Sequence, residues 1–260
     1  MPLNKYKDLN LAITYGKLRL GSKEANLRAM EKMFDDTVAG CKQKDGIPPD
    51  MLVFSEFHYN RGNKQNEQFE DTDGPLTHAM AKKARQYNCW AIFNYLENRL
   101  ADKKRYNTNK MMNRDGIIVA SYDKTFLPPD DIRFGNTAGA KDETNVRPIQ
   151  TEFGPIGMLI CYDVQEDLGD RPYELICLLK ERGARLVIVS SIGDYTPDTL
   201  KGGIQNKIWT AHCGQDSYRE EKYFVSNIAD PEGNFVAGVA NSSQVEPTYT
   251  SALINLAASL

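Results

Sequence analysis

Three residues with catalytic chemistry each follow a predicted strand of the 260-residue chain. Glu56 closes the segment LVFSE, Lys124 follows the strand that ends at Tyr122, and Cys161 lies in the segment GMLICYD. In α/β sheets, ligands bind at the carboxyl ends of strands, so we expect the three side chains to converge on one crevice. Taken singly, each has an ordinary explanation: a solvated carboxylate, a surface ammonium and a buried small thiol.

Together, the three groups supply what cysteine-based acyl transfer requires. A nearby ammonium lowers the pKa of a thiol, ordinarily about 8.5, towards the thiolate that attacks a carbonyl carbon. A carboxylate takes the thiol proton, delivers it to a leaving amine and then activates water. The ammonium and a backbone N–H hold the oxyanion of the tetrahedral intermediate. His58, two residues after Glu56, is a competing partner for the thiol.

The elements that position these residues alternate between strands and helices. Predicted strands cover residues 10–15, 51–54, 89–95, 106–112, 117–122, 156–160, 186–190, 223–228 and 235–239. Predicted helices run from the cap residue Ser22 to Cys41, from Gly74-Pro75 to Tyr87, and from Asp170 to Arg182. Long loops at 126–146 and 192–203 follow strands and are candidate binding segments. The alternation, with one hairpin near residue 115, predicts a layered α/β fold with a mixed sheet and one domain over residues 1–260.

Composition and charge disfavour several classes of protein. Thirty-two Lys and Arg against 35 Asp and Glu give a formal net charge of −3, so no net positive field attracts nucleic acid or anionic lipid. The apolar runs are strand-sized, and the first segment (MPLNKYKDLN) lacks an apolar leader, so we expect a cytoplasmic protein without a membrane or nucleic-acid partner. Five widely spaced cysteines without a C-x-x-C pair indicate free thiols. The three histidines lack zinc spacing and no nucleotide-binding motif occurs, so we expect neither metal nor cofactor.

The three catalytic segments resemble those of the nitrilase, or carbon–nitrogen hydrolase, superfamily. LVFSE is similar to its Glu motif, YDKTFL to its Lys motif and GMLICYD to its Cys motif, in the family's order. Similar supporting pieces are Gly74-Pro75, Arg114-Asp115-Gly116, the strand LVIVSS after Gly183-Ala184, Glu220-Glu221 before residues 223–227, and the turn at 230–233. The resemblance implies a four-layer α-β-β-α sandwich with mixed sheets and catalysis by Glu56, Lys124 and Cys161. It also implies that the backbone N–H of Tyr162 belongs to the oxyanion hole and that the protein is a homodimer or larger homo-oligomer.

The chain departs from the family pattern at several positions. Ser55 stands where the residue before the Glu is usually Pro. The extra residues 164–171 after the Cys motif are expected to reshape one wall of the pocket. Many members have a second Glu after the Lys. In this chain Asp130 or Asp131 takes that role, or the role is unfilled.

The resemblance also indicates a reaction class. Tyr162-Asp163 after the Cys is typical of amidases and carbamoyl hydrolases, whereas nitrilases typically have Trp-Glu. Polar residues expected near the pocket mouth are His58, Asn60, Arg61, Asp130, Asp131 and Arg133, and the candidates for binding a small-molecule substrate are His58, Asn60, Asp131 and Arg133. We therefore expect hydrolysis of a small polar carboxamide or N-carbamoyl substrate, with ammonia release through a cysteine thioester. The alternatives are a nitrilase and a non-catalytic binding module with the same fold.

Overall fold

A computed structural model describes residues 6–15, 22–60, 69–193, 195–215, 224–240 and 249–258 of the chain. Within these ranges the strands are β1 (Leu9–Thr14), β2 (Met51–Val53), β3 (Glu70–Asp71), β4 (Trp90–Arg99), β5 (Lys104–Met112), β6 (Ile118–Asp123), β7 (Ile149–Thr151), β8 (Gly154–Ile160), β9 (Leu186–Ser190), β10 (Trp209–Cys213), β11 (Phe224–Ala229), β12 (Phe235–Ala240) and β13 (Tyr249–Ile254). The α-helices are α1 (Lys23–Asp45), α2 (Pro75–Tyr87), α3 (Pro129–Arg133), α4 (Glu174–Glu181) and α5 (Thr196–Asn206).

The strands form two mixed sheets. The first has the order β13-β1-β2-β4-β5-β6, with β3 paired to β4, and the second has the order β12-β11-β10-β9-β8-β7. The central strands β1, β2 and β4 run parallel in the first sheet, as do β8, β9 and β10 in the second. The outer strands are antiparallel to their neighbours, except β3, which runs parallel to β4. Parallel central strands bring several strand ends to one edge of each sheet, where side chains from different strands meet.

The sheets face each other, and helices cover their outer surfaces. Ile92 of β4 packs into the core between the sheets, while Phe93 packs with α1 and α2, because successive strand residues point to opposite faces. Leu179 of α4 lies against Gly157 of β8, on the outer face of the second sheet. The expected four-layer α-β-β-α sandwich with mixed sheets is confirmed.

Hydrogen bonds also join the two sheets near the strand ends that carry the candidate catalytic residues. The Ser190 hydroxyl donates to the carbonyl oxygen of Phe54 at 3.0 Å. The Asn109 amide donates to the carbonyl oxygen of Leu159 at 3.2 Å. These contacts fix the end of β2 against β9 and the end of β8 against β5.

The predicted starts of two helices agree with the structure. Ser22 caps α1, its hydroxyl accepting from the Ala25 N–H at 3.2 Å, and Gly46 ends that helix with a left-handed φ of 74°. Pro75 is the first residue of α2, where its missing N–H costs no hydrogen bond. No helix in the described part of the chain is both long and apolar enough to cross a bilayer.

Other sequence predictions of local structure were wrong. The loop predicted over 192–203 contains most of α5. Gly202 and Gly203 have low helix propensity, but the helix forms because these small residues let it pack closely on its neighbours. A Cβ at Gly202 would lie 2.5 Å from Ile176 Cδ1, so the small residue is required there. The helix predicted from Asp170 begins only at Glu174, after a left-handed Tyr173. The loop 126–146 includes α3, and strands β3, β7, β10 and β13 were not predicted.

Candidate active site

Glu56 lies just beyond β2, and its side chain is fully buried. Its Oε1 accepts hydrogen bonds from Lys124 Nζ at 2.9 Å and from Asn107 Nδ2 at 2.8 Å. Its Oε2 accepts from the backbone N–H of Ile192 at 3.1 Å. A buried carboxylate held by a cation, an amide and a backbone N–H has one fixed orientation, as a general base requires.

Lys124 follows β6, and its ammonium is buried between two carboxylates. Its Nζ donates to Glu56 Oε1 at 2.9 Å and to Asp131 Oδ2 at 2.7 Å. Burial by itself lowers the pKa of Lys124, but Glu56, Cys161 and Asp131 outweigh it and hold that pKa well above its ordinary value. The side chain is therefore a permanent cation inside the site, suited to neutralising a developing oxyanion.

Asp131, rather than Asp130, is the second acidic residue at the lysine. Asp131 is buried, and its Oδ1 accepts from Asn136 Nδ2 at 2.8 Å while Oδ2 faces Lys124. The Asp130 side chain is 73% exposed and pairs with Arg133 at 3.0 Å. Both aspartates lie on α3, where consecutive residues point about 100° apart, so only Asp131 reaches Lys124.

Cys161 directly follows strand β8 and begins a short 3-10 turn with a left-handed φ of 49°. Such a φ is uncommon for a residue with a Cβ and marks the sharp bend that aims the thiol at the cavity. Burial and then the charge of Glu56 raise the pKa of the thiol to about 12, while Lys124 and Ser191 lower it. The lowering by the ammonium predicted from the sequence is therefore present but outweighed. The resting group is a thiol, which needs a base as it attacks.

Asp163 ties the lysine segment to the cysteine turn. Its Oδ1 accepts from the backbone N–H groups of Thr125 at 3.1 Å and Phe126 at 2.8 Å. Its Oδ2 accepts from the Tyr122 hydroxyl at 2.8 Å and from the backbone N–H of Ile160 at 3.1 Å. Burial raises the pKa of Asp163 to about 7, although the donors around it act in the opposite direction. Sequence reasoning used this residue only as a family marker and missed its positioning role.

Three asparagines between the sheets hold Glu56 in place, and sequence reasoning missed them as well. The Asn94 amide donates to Asn107 Oδ1 at 2.9 Å and to Asn109 Oδ1 at 3.1 Å. Asn94 Oδ1 in turn accepts from the backbone N–H of Phe57 at 2.9 Å. The available signal was the alternation of Asn107 and Asn109 on one strand, which places two amides on the same, inward face.

The described residues enclose a cavity of about 630 Å³ beside the thiol, a volume typical of small-molecule sites. Its lining comprises Glu56, Phe57, Asn60, Leu96, Lys124, Pro128, Pro129, Asp130, Asp131, Phe134, Cys161, Ile192, Gly193 and Tyr195. The three residues predicted to be catalytic therefore share one cavity. Within the described ranges, no group of three or more His, Cys, Asp or Glu residues is arranged to hold a metal ion.

The predicted substrate-binding residues divide into two groups. Asn60 and Asp131 line the cavity, whereas His58 and Arg133 do not. The Asn60 side chain accepts from the backbone N–H of Leu96 at 2.9 Å, which fixes its orientation. Arg61 lies outside the described residues. The hydrogen-bonding pocket expected from these residues is thus only partly present, because most of the other lining side chains are apolar.

His58 and Ser55 pair with each other instead of serving the thiol. The Ser55 hydroxyl and His58 Nδ1 are 3.2 Å apart, and both residues are buried. Burial lowers the pKa of His58 to about 4, so the imidazole is neutral near pH 7. The competing assignment of His58 as the partner of Cys161 receives no support from this arrangement.

Two sequence expectations concern the segment that follows Cys161. Tyr162 is the next residue in the 3-10 turn, and its N–H as an oxyanion donor remains a prediction. The extra residues 164–171 do not line the cavity, which corrects the expectation that they reshape its wall. They lie against α4 instead, with the Asp170 N–H donating to Glu174 Oε2 at 3.2 Å.

Tyr195 and Ile192 are site residues that sequence reasoning did not name. Both line the cavity, and they lie in the segment 192–203 that was predicted to bind ligands. Burial and the nearby Cys161 raise the pKa of Tyr195, so its hydroxyl stays protonated near pH 7.

The family model described as carbon-nitrogen hydrolase matches residues 11–258. The chain belongs to the carbon-nitrogen hydrolase family. The resemblance drawn from the Glu, Lys and Cys motifs is therefore confirmed over nearly the whole chain.

Several of the similar curated proteins are named as amidases. The deaminated glutathione amidase of Dictyostelium discoideum is 22% identical over 250 residues, covering 89% of this chain and 82% of that protein. The rat deaminated glutathione amidase is 28% identical over 190 residues, covering 65% of this chain and 55% of that protein. The match thus spans only about half the length of the rat protein.

Solved structures agree in fold. A nitrilase-superfamily branch 10 protein of Saccharomyces cerevisiae has a TM-score of 0.73 at 18% identity, over 96% of this chain and 90% of that one. An amidase of a Nesterenkonia species, solved with acrylamide, has a TM-score of 0.71 at 16% identity, over 99% of this chain and 94% of that one. The Nesterenkonia amidase has an active-site cysteine to which acrylamide adds.

Proposed function

We propose that this carbon-nitrogen hydrolase cleaves the C–N bond of a small carboxamide through a thioester at Cys161. The observation that carries the proposal is the convergence of three groups on one cavity: the thiol, the buried carboxylate of Glu56 and the ammonium of Lys124. The names of the similar amidases support the same reaction class.

The first half of the reaction forms the thioester. Glu56 takes the proton of the Cys161 thiol while sulfur attacks the carbonyl carbon, and the carbonyl electrons move onto oxygen. Lys124 and the N–H of Tyr162 stabilise that oxyanion. The intermediate collapses, the C–N bond breaks, and Glu56 gives its proton to the leaving nitrogen, which departs as ammonia.

The second half regenerates the enzyme. Glu56, again ionised, removes a proton from water as the water oxygen attacks the thioester carbonyl. The second tetrahedral intermediate collapses with cleavage of the C–S bond, and the proton held by Glu56 returns to sulfur. The products are a carboxylic acid and the free thiol. An N-carbamoyl substrate would pass through the same steps at its ureido carbonyl.

Ammonia release by wild-type protein and by Cys161→Ala tests the proposal. We expect turnover in the wild type and none above background in the variant, with unchanged circular dichroism because the substitution removes only a small side chain. Turnover by the variant would refute the thiol mechanism. Matched amides and nitriles with one side chain test the nitrilase alternative, which a higher kcat/KM for the nitrile would favour.

The non-catalytic alternative is tested by alkylation with chloroacetamide, an amide-shaped reagent. Cys161 should react faster than the more exposed Cys177, because the base at Glu56 assists the thiol. Equal or slower labelling of Cys161 would favour a binding module.

We also propose a homodimer or larger homo-oligomer in the cytoplasm. The motif resemblance supports the assembly. All five cysteines are free, as is usual in a reducing compartment. Light scattering on the purified protein measures the assembly, and a monomeric mass would refute it.

A further inference from the structure

The cavity beside Cys161 has two kinds of wall. The polar part is formed mainly by the catalytic groups and their neighbours. The remainder is largely apolar and comes from four separate segments, with Phe57, Leu96, Pro128, Pro129, Phe134 and Ile192 among the lining residues. Apolar side chains from four segments give the cavity a largely hydrocarbon lining, and such a lining selects a substrate by burying its apolar atoms.

The charges in the described lining are predominantly negative. Glu56, Asp130 and Asp131 contribute carboxylates, and Lys124 is the one cation among the lining residues that the structure describes. That cation is already held by two of the three carboxylates, at 2.9 and 2.7 Å, so this buried group keeps a net negative charge. The third carboxylate, Asp130, pairs with Arg133 at 3.0 Å on the exposed side. A substrate carboxylate would therefore approach like charges in a partly enclosed site, where such repulsion is stronger than in bulk water.

We propose that the acyl arm of the substrate is uncharged and apolar, a chain of several carbons that lies against the hydrocarbon wall. The proposal rests on the amidase function proposed above and adds the class of amide. It distinguishes this chain from an enzyme whose substrate carries a second carboxylate at the far end of its acyl arm.

Phe134 is the side chain with which to test the wall. It follows α3 directly, is half-buried and lines the cavity, and its ring contributes apolar surface without a hydrogen bond to any catalytic group. Replacement by Ala removes that surface, and replacement by Leu retains much of it.

The decisive comparison uses hexanamide and adipamate. The two amides share four methylenes and differ only in a terminal methyl or carboxylate, so their kcat/KM values isolate the effect of the end group. We expect hexanamide to exceed adipamate by at least about tenfold. Asp130→Asn, which removes one carboxylate from the lining, should reduce that ratio.

The Phe134 variants give the matched control. Phe134→Ala should lower kcat/KM for hexanamide by about tenfold or more, and should affect acetamide, which has no long arm, much less. Phe134→Leu should restore most of the hexanamide activity. An equal loss for hexanamide and acetamide in Phe134→Ala would show that the ring supports the fold and not the substrate arm, and would overturn the assignment.

The outcomes also separate this inference from the proposed function. An equal or higher kcat/KM for adipamate, with ammonia release still dependent on Cys161, would overturn the apolar arm and leave the amidase intact. Absence of Cys161-dependent ammonia release from all three amides would overturn both.

Discussion

Asp131→Asn should slow turnover without removing any group that takes part in proton transfer. Asp131 receives a 2.7 Å hydrogen bond from Lys124 Nζ in a site where both side chains are buried. Asparagine keeps the shape but loses the charge, so Lys124 keeps only Glu56 as an anionic partner. A buried hydrogen bond to a charged group contributes about 1.5–3 kcal/mol. If that energy positions Lys124 for the oxyanion, kcat/KM should fall about 10- to 150-fold.

The assay is ammonia release from hexanamide across a range of pH. Because Asp131 helps to raise the pKa of Lys124, its neutralisation should move the alkaline limb of the pH–rate profile to lower pH. A merely structural loss would not produce that displacement. Asp131→Glu keeps the charge and should retain more activity than Asp131→Asn.

Asp35→Asn is a matched control for the loss of a charge. Asp35 lies on α1 and accepts from Lys83 Nζ at 2.6 and 2.7 Å, against the outer helices and away from the cavity lining. Asp35 also accepts from the Tyr87 hydroxyl at 2.7 Å, a bond that asparagine can still accept. The replacement should leave kcat/KM within about twofold, since the charge that is lost lies outside the active site. If Asp131→Asn also stayed within twofold and kept its pH profile, the positioning role of Asp131 would be refuted.

Three further predictions concern the base, the cation and the packing of the second sheet. Glu56→Gln should lower kcat by several powers of ten, and a retained kcat would refute the general-base role. The same substitution should lower the pKa of the Cys161 thiol, because the Glu56 carboxylate raises that pKa; the pH dependence of alkylation measures it. Lys124→Met leaves two buried carboxylates without their cation and should lower the free energy of unfolding, measured with urea, by about 3–5 kcal/mol. An unchanged urea midpoint would contradict the contribution of the buried ion pairs. Gly157→Ala would place a Cβ 2.7 Å from Leu179 Cδ1 and should destabilise the fold by about 1–3 kcal/mol in the same assay; equal stability would show that α4 shifts freely.

The sequence predicted which three residues converge, because each one follows a strand in a recognisable segment. Glu56, Lys124 and Cys161 were identified from local motifs in a fixed order, and the fold then brings them to one cavity. The spacing from Lys124 did not distinguish Asp130 from Asp131. The helical rotation between neighbouring residues decides that question, and α3 was not predicted.

The hydrogen bonds that position the site residues could not be predicted from the local sequence pattern. The N–H of Ile192 reaches Glu56 from a segment 136 positions away, and the Asn109 amide reaches Leu159 across the two sheets. Such contacts depend on how the sheets pack. The helix α5 was missed because Gly202 has low helix propensity, although its tertiary packing requires a small residue.

The chemical composition of the cavity also depends on packing. The polar residues nearest to the motifs suggested a polar pocket, and two of them, His58 and Arg133, do not line it. The apolar residues that do, such as Leu96 and Phe134, come from segments without a functional motif. The chemistry of the substrate's acyl arm therefore follows from the packed lining of the cavity and not from the sequence motifs.

The thioester at Cys161 is tested most directly by acyl transfer to hydroxylamine during turnover of hexanamide. A thioester partitions between water and hydroxylamine, whereas direct attack of water on the amide yields only hexanoate. The account predicts that wild-type protein forms hexanohydroxamate in proportion to the hydroxylamine concentration while releasing ammonia, and that Cys161→Ala forms neither product. Ammonia release with hexanoate as the only acyl product at every hydroxylamine concentration would contradict it.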